Sequence, residues 1–460
     1  MLKSNIAWMK KNVPSDLKVW KGMIQDIDWS QVAAKTKLSL QRDKDRITAE
    51  FKEFAAMDTS AKIDWLMNGD RHLGYLYKKD AIAFARREWK GLKSVGYDFV
   101  GWLKIWGGML NMVMKDPMSI MLAVFEYHWF ASYLATPAVV DRSVFGRRGK
   151  LLQADFDMWV AITHWAEDLI ANLIMADAKI GGNQKINKRI IMFDEMTMAQ
   201  MMAGFPNLLG IPYQMIPVFM VSEMDQLTLI PYIDAIESYG LPSDTCPLPT
   251  AECGCAVKDE YPMCGQGFIA SSMPCDGSVM ATSFQDRRFS KFMPSYPLCM
   301  PVRYDDEDTT EMAAADMKDC IHWVEGLTGE TWNWDTYFAT MEKMNECTRL
   351  EMEKWEINKT AYPQLIGPTY ELFRKWCYEM DGGLDPRTIK SCEKVNKILL
   401  KGYKNKEQAW RNKMRYRAIT WSCPPHYYAN FSNWLANSWG INVVVEMESL
   451  NYTKHLNTTD

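Results

Sequence analysis

Residues 189–194 read RIIMFD and residues 267–273 read GFIASSM. Each is a short apolar run bounded by turn or polar residues, the length of a buried strand rather than of a helix. Behind the first run, Thr197 and Gln200 stand three apart, a capping-box spacing that starts a helix. Next come the apolar run Tyr213 to Val221 (YQMIPVFMV) and a helical stretch from Leu227 to Tyr239, ended by Gly240. A cysteine-rich loop leads into GFIASSM, after which Val279 to Phe292 reads as helix and Tyr296 to Val302 as strand. Strands and helices alternating at these lengths predict an α/β fold: a parallel-sheet, Rossmann-like domain over 189–307 with helices on both faces.

Outward from this unit the pattern is helical on both sides. Residues 1–188 read as a helical N-terminal region. After Asp155, a plausible N-cap, Met158, Ile162, Trp165, Leu169 and Leu173 recur at helical spacing and require a partner surface. Residues 308–414 form a helical connection. It opens at Asp308 with Glu311 as capping partner and runs through Trp334 to Lys359 and Ile366 to Met380, reaching Lys413. Residues 415–460 then begin a second α/β domain: a strand over Tyr416 to Ser422 (YRAITWS), a helix near Phe431 to Trp439 and a strand over Ile441 to Met447 (INVVVEM). Two strands and one helix cannot cover a sheet on both faces, so this second domain reads as incomplete, as in a fragment or one half of a split gene.

With 48% hydrophobic and 24% charged residues the composition is that of a globular chain, which excludes disorder and fibrous repeats. Its 460 residues allow about three units with cores of their own. Lys plus Arg number 53 against 57 Asp plus Glu, and the net charge of −4 comes with no basic arm, so no nucleic-acid footprint is present. Met118 to Val140 is apolar enough to suggest a membrane span. Glu126 and His128 in its middle, and Pro117 and Pro137 around it, make it a buried helix instead. The first residues lack a secretory apolar region, which predicts a cytoplasmic protein with reduced thiols. His72, His128 and His164 are isolated and read as structural histidines.

Six of the 11 cysteines fall between Cys246 and Cys299: Cys246, Cys253, Cys255, Cys264, Cys275 and Cys299. Cys246 follows a helix, and Cys275 lies just past the carboxyl end of a predicted strand, the edge where open α/β sheets bind ligands. Cys423, in TWSCPPHYY, has the same place in the second unit. Thiolates in loops at a sheet edge suit a soft metal centre, zinc or an iron–sulfur cluster. The competing reading is that each cysteine is a small buried hydrophobe. No C-x-x-C pair occurs, and Cys253-x-Cys255 alone does not choose between them.

The ordered set of segments resembles the 2-hydroxyacyl-CoA dehydratases and ATP-dependent benzoyl-CoA reductases. The set comprises FDEMTMAQMMAGFP, GLPSDTC with Cys246, SSMPCD with Cys275, YPLCMPVRYDD, IHWVEGLTGETWNWD, RAITWSCPP and WGINVVVEM, from about Arg189 to Asp460. The resemblance implies two similar α/β domains in each large subunit with a [4Fe-4S] cluster between them, held by three cysteines with one iron left open. Cys246 and Cys275 match the first two ligands. The third belongs in the later half of the second domain, and Cys423 is the candidate substitute within this chain.

The implied chemistry addresses a β-hydrogen that is not acidic, beyond the reach of simple acid–base catalysis. A low-potential electron placed in the thioester carbonyl gives a ketyl radical, which expels the hydroxyl and acidifies that position. An open iron site suits this as a Lewis acid. The resemblance therefore implies an iron–sulfur lyase, or a related acyl-CoA oxidoreductase, with a homologous second subunit in a heterodimer and an ATP-dependent iron–sulfur activator. No P-loop pattern occurs in this chain, as expected if the ATP step lies in that activator.

Further residues have two readings each. Asp244 and Asp276 flank the two cysteines, where Asx-type hydrogen bonds would orient their loops. His426, three residues after Cys423, is a candidate proton carrier or a helix-start residue. Asp286, Arg287 and Arg288 either face the CoA phosphates or form a solvated helix face. Two alternatives to the catalytic reading stand beside it. One is a non-catalytic partner subunit of such a complex, and the other is a zinc-stabilised structural or binding protein using Cys253, Cys255, Cys264 and Cys275.

Overall fold

The computed structural model describes residues 29–68, 91–136, 140, 146–180, 189–194, 199–224, 226–242, 246–272, 276–289, 293–299, 307–365, 373–374, 376–377, 384–410, 412–420, 434–446 and 458. Four parallel strands form the main sheet in the order β2-β1-β3-β4, with β1 at Arg189–Phe193, β2 at Leu208–Pro212, β3 at Gly267–Ser271 and β4 at Ser295–Leu298. Alternation along the strands divides their side chains between two cores, as period 2 requires. Ile191, Phe193 and Ile269 pack with Cys320, Val324 and Leu327 of the helix Glu307–Thr328. Ile190, Met192, Phe268 and Ala270 face the other way, toward Tyr213, Tyr261 and Phe289. Each large apolar side chain so buried contributes on the order of 2 kcal/mol, and both faces of the sheet are covered. At Gly267 the helix Glu307–Thr328 comes so close that a Cβ would meet Leu327 at 2.4 Å.

The expected α/β architecture is present, with corrections in detail. The second strand is LLGIP at 208–212, while the run from Tyr213 to Val221 forms a π-turn at Met215–Phe219 followed by the helix Met220–Met224. Pro212 removes a ladder donor at the end of the strand, and the chain turns away there. The cysteine-rich segment is not a loop: Pro247–Val257 is a helix, with Pro247 at its first position where a missing N–H costs nothing.

The described residues of the N-terminal region are mainly helical, with Gly149–Ala176 as its spine. Met158, Ile162, Trp165, Leu169 and Leu173 are all buried on it as expected. Asp155 is not its cap. The helix starts at Gly149 because Leu151 and Leu152 extend the buried stripe toward the N-terminus, leaving Asp155 fully buried in its second turn and paired with buried Arg147. The spine packs between the helices Gly91–Lys115 and Arg387–Lys404. Lys394 reaches Asp157 at 2.6 Å and Arg387 reaches Asp168 at 3.0 Å, so helices from both ends of the chain share one core.

Burial pushes the Asp155 carboxyl from 3.8 up to about 7, against the opposing pull of Arg147. A folded-state value above the unfolded one means that the folded chain keeps a proton between about pH 4 and 7 that the unfolded chain has released. The stabilisation is complete below the unfolded value and is lost as pH rises through about 7. Burial also raises Glu126, Asp177 and Glu351. Comparing wild type with Asp155→Asn in thermal melts from pH 4.5 to 8 isolates the one group. The variant's melting temperature should decline less than that of the wild type over this window, because it lacks the proton that Asp155 gives up as pH rises through about 7.

Met118 to Val140 is not one helix. Pro117–Glu126 is capped by Asp116, which accepts from Ser119 N–H at 3.3 Å and from its hydroxyl at 2.7 Å, and a second short helix covers Phe130–Leu134. Glu126 is buried against Arg46 and against Lys179 at 3.4 Å. Among the described residues no helix is long and apolar enough to cross a membrane. The ring of His128 lies edge-on to Tyr232 and His164 stands 3.7 Å from Glu167, while His72 is outside the described residues.

In the last stretch, β5 at Tyr416–Thr420 pairs in parallel with β6 at Ile441–Glu446, with a bulge between Ala418 and Ile419. Of the helix expected near Phe431 to Trp439, residues 431–433 lie outside the described residues and Leu435–Trp439 is a π-helix, ended by Gly440 at φ 67°.

Candidate functional site at the carboxyl edge of the sheet

The strand order places a topological switch between β1 and β3. From β1 the chain pairs β2 on one side and then crosses to β3 on the other. Connections leave such a point in opposite directions and open a crevice at the carboxyl ends of the strands. Asp194, which closes β1, is buried in this crevice. Its N–H donates to Ile269 O at 3.2 Å, and its carboxylate accepts the N–H of Ser271 at the end of β3. The next residue, Ser272, donates its N–H to Leu298 O of β4 at 3.1 Å. The ends of β1, β3 and β4 are thus pinned together directly before residues 273–275.

Cys246 reaches the same edge from the other direction. A helix that feeds the start of a parallel strand runs antiparallel to it, so Pro247–Val257, leading into β3, has its amino end at the carboxyl edge. Asp276–Phe289, which follows β3, also begins there and packs against it through Cys253, Ala281 and Met280. Cys246 is the cap residue, extended at φ −164° and ψ 124° as the position before proline favours. Its carbonyl accepts from Thr250 N–H at 3.3 Å and from the Thr250 hydroxyl at 2.7 Å, while its thiol is not used for capping. The thiol is half-buried at the positive end of a helix, where negative charge is favoured.

Cys299 follows β4 at this edge and is exposed, its N–H bonded to Asp316 at 2.6 Å. The other described cysteines of the group are core residues. Cys253 packs with Ile236 and Ala281, whereas Cys255 and Cys264 belong to the large core. Burial pushes the Cys253 thiol up to about 12 and raises Cys255 and Cys264 as well. Cys264 donates to the Met192 sulfur at 3.5 Å. Protonated thiols facing separate cores are poor metal ligands. Among the described residues no three His, Cys, Asp or Glu side chains form a metal-binding group.

Cys275, Cys423, His426 and Asp244 lie outside the described residues, and Asp276 is the first residue of its helix. Asp286, Arg287 and Arg288 stand in the last turn of that helix, toward the opposite edge. There Asp286 bonds the Ser295 hydroxyl and Arg288 pairs with Asp259, which gives both a role in joining β4 and the 259 turn. No sequence motif gives Asp194 a role, yet it ties the ends of β1 and β3 together. Its signal is an acidic side chain closing an apolar run at the binding edge of a parallel sheet.

A comparison with curated proteins finds no match. The family model for the 2-hydroxyglutaryl-CoA dehydratase D-component matches residues 226–460, just over half of the chain. The match takes in Cys246, Cys275 and Cys423 and begins after the FDEMTMAQMMAGFP segment, so the resemblance is narrower at its start than the motifs alone implied. With that match over a parallel sheet whose binding edge carries Cys246, the chain belongs to the 2-hydroxyglutaryl-CoA dehydratase D-component family.

Proposed function

We propose that this chain is a subunit of a radical 2-hydroxyacyl-CoA dehydratase, or of a related acyl-CoA reductase, in which Cys246 and Cys275 hold a [4Fe-4S] cluster and Cys423 is the candidate third ligand. The observation that carries the reading is the position of Cys246. It is a half-buried thiol at the amino end of a helix, at the carboxyl edge of the sheet, inside the segment that matches the family. The donor set fits the group, since thiolates are the usual ligands of such clusters and the helix end favours their negative charge. When bound, the cluster would supply a low-potential electron and a Lewis-acidic iron for the thioester substrate.

The chain's own residues do the positioning. Asp194 fixes the end of β3 through Ser271, and Thr250 fixes the carbonyl of Cys246, so the two cysteine-bearing segments start from anchored backbone. In this reading a homologous subunit completes the heterodimer. An ATP-dependent iron–sulfur activator delivers the electron, and the complex works in the cytoplasm, where thiols stay reduced.

Iron and sulfide analysis of the anaerobically purified chain, alone and co-expressed with its partner, tests the proposal. One cluster per chain is the expected result. Substoichiometric iron would overturn the catalytic role in favour of a non-catalytic partner subunit. Colourless protein with one zinc per chain would overturn the iron–sulfur reading in favour of a structural zinc site.

A further inference from the structure

The helix Gly91–Lys115 is apolar on two opposite faces. One packs on the spine Gly149–Ala176: Ile105, Met109 and Met112 are buried there, and at Gly101 and Gly108 the side chains of Phe156 and Glu167 come close. The other face points away from that core. Gly96, Val100, Leu103, Gly107, Leu110 and Met114 follow one another at steps of four, three, four, three and four, the spacing of a coiled-coil seam, and all six are exposed. Leu103 is 48%, Leu110 62% and Met114 65% exposed, and a Cβ at Gly96 or Gly107 would meet nothing within 4 Å. A helix apolar on both sides belongs inside a core, and among the described residues only one side is covered.

The size of the face bears on what covers it. Phe99, also exposed, flanks the seam, and Met118 and Met121 are exposed on the adjoining helix Pro117–Glu126. At roughly 100 Å² for each half-exposed apolar side chain, these three with Val100, Leu103, Leu110 and Met114 exceed the few hundred Å² of a chance patch and approach the ~800 Å² per partner of a standard interface.

We propose that this face is a symmetric interface between two copies of the chain, in which Gly91–Lys115 pairs antiparallel with itself. In an antiparallel pair the two kinds of seam position face each other, and a two-fold axis makes every contact reciprocal. With the axis at the level of Ile105, Val100 lies opposite Leu110 of the second copy, Leu103 opposite Gly107, and Met114 opposite Gly96. Each layer then joins a larger residue to a smaller one, so the helices keep an even separation. A parallel pair would set every residue against itself. Gly96 and Gly107 would face glycine in vacant layers beside the crowded layers of Leu103 and Leu110, and atoms lining such voids lose their contacts. The order of sizes along the helix is complementary to its own reverse, which is what selects a second copy as the occupant. The face lies outside the segment 226–460 that matches the family, so the pairing is independent of the proposed function.

Sedimentation equilibrium of the full chain over a wide concentration range tests the pairing. The expected result is a dimer that dissociates on dilution. Leu103→Lys combined with Leu110→Lys puts charge into the seam and should raise the dissociation constant by about 100-fold or more. The melting temperature of the diluted variant should stay at the wild-type value, because both side chains are exposed in the single chain. Cysteine cross-linking under mild oxidation, with peptide mapping, reads the register. Val100→Cys combined with Leu110→Cys should link position 100 of one copy to position 110 of the other, whereas Val100→Cys alone should give no link at 100. A chain that is monomeric at every concentration overturns the proposal, as does a dimer that the two lysines leave intact or a self-link at position 100. A lower melting temperature of the diluted lysine variant would show that the chain's own residues cover the face. Binding of a monomer to phospholipid vesicles, or only to a different co-expressed subunit, would give the face to that partner. Each of these outcomes overturns the second copy as occupant. Dilution of the wild-type chain and the cross-linking pair decide the matter even if the lysine variant fails to fold.

Discussion

Replacing Cys246 with alanine should reduce bound iron, and any acyl-CoA dehydratase activity of the assembled complex, by about two orders of magnitude or more. Substitutions one shell outside a metal site already cost roughly 10- to 100-fold in affinity or activity, and loss of a direct ligand removes more. The fold should hardly respond. The side chain is small and half-buried, and the capping carbonyl that receives Thr250 belongs to the backbone, so alanine keeps it. Cys253→Ala is the comparison that gives the result meaning. That thiol is fully buried between Ile236 and Ala281, so its loss should lower the melting temperature while leaving iron content near wild type. Iron content unchanged in Cys246→Ala, or equally reduced in both variants, would remove Cys246 from the site.

The contrast between these two cysteines shows where the sequence stopped being informative. Cys246 stands before Pro247 and after a helix, and both signals are local, so its place could be read. Whether Cys253 and Cys255 converge depends on what carries them. In a loop two such thiols can converge, but on the helix Pro247–Val257 residues two apart lie on different faces and enter different cores. Gly254 between them and the low helix propensity of cysteine made the segment look like a loop. Asp155 misled in a related way. An acidic residue before an apolar stripe usually caps a helix, and only the burial of Leu151 and Leu152 ahead of it reveals an earlier start.

Strands β1, β3 and β4 were legible because turn residues bound each apolar run. β2 was not, since residues 208–221 are apolar with few interruptions and periodicity cannot say which part is extended.

Gly254→Ala should be among the most destabilising single-methyl additions in the chain. A Cβ at this position would lie 1.9 Å from the carbonyl oxygen of Tyr232, so the backbones of Pro247–Val257 and Ile230–Glu237 are in direct contact there. Overpacking usually costs about 1–3 kcal/mol, and the upper end or beyond applies here because the obstacle is backbone, which no rotamer change can move aside. Tyr232 is itself tied, its hydroxyl donating to Glu260 at 2.7 Å and accepting from Trp129 N–H at 3.2 Å. The helix that must give way is therefore the one whose first turn presents Cys246, so iron content should fall together with stability. Gly107→Ala supplies the opposite sign. It lies inside the helix Gly91–Lys115 with nothing within 4 Å of a new Cβ, and should stabilise by about 0.5–1 kcal/mol through helix propensity and lower unfolded-state entropy. Denaturant melts of the two variants separate the causes. If both alanines stabilise alike, the two helices do not touch at Gly254, and the route that places Cys246 at the sheet edge has to be redrawn.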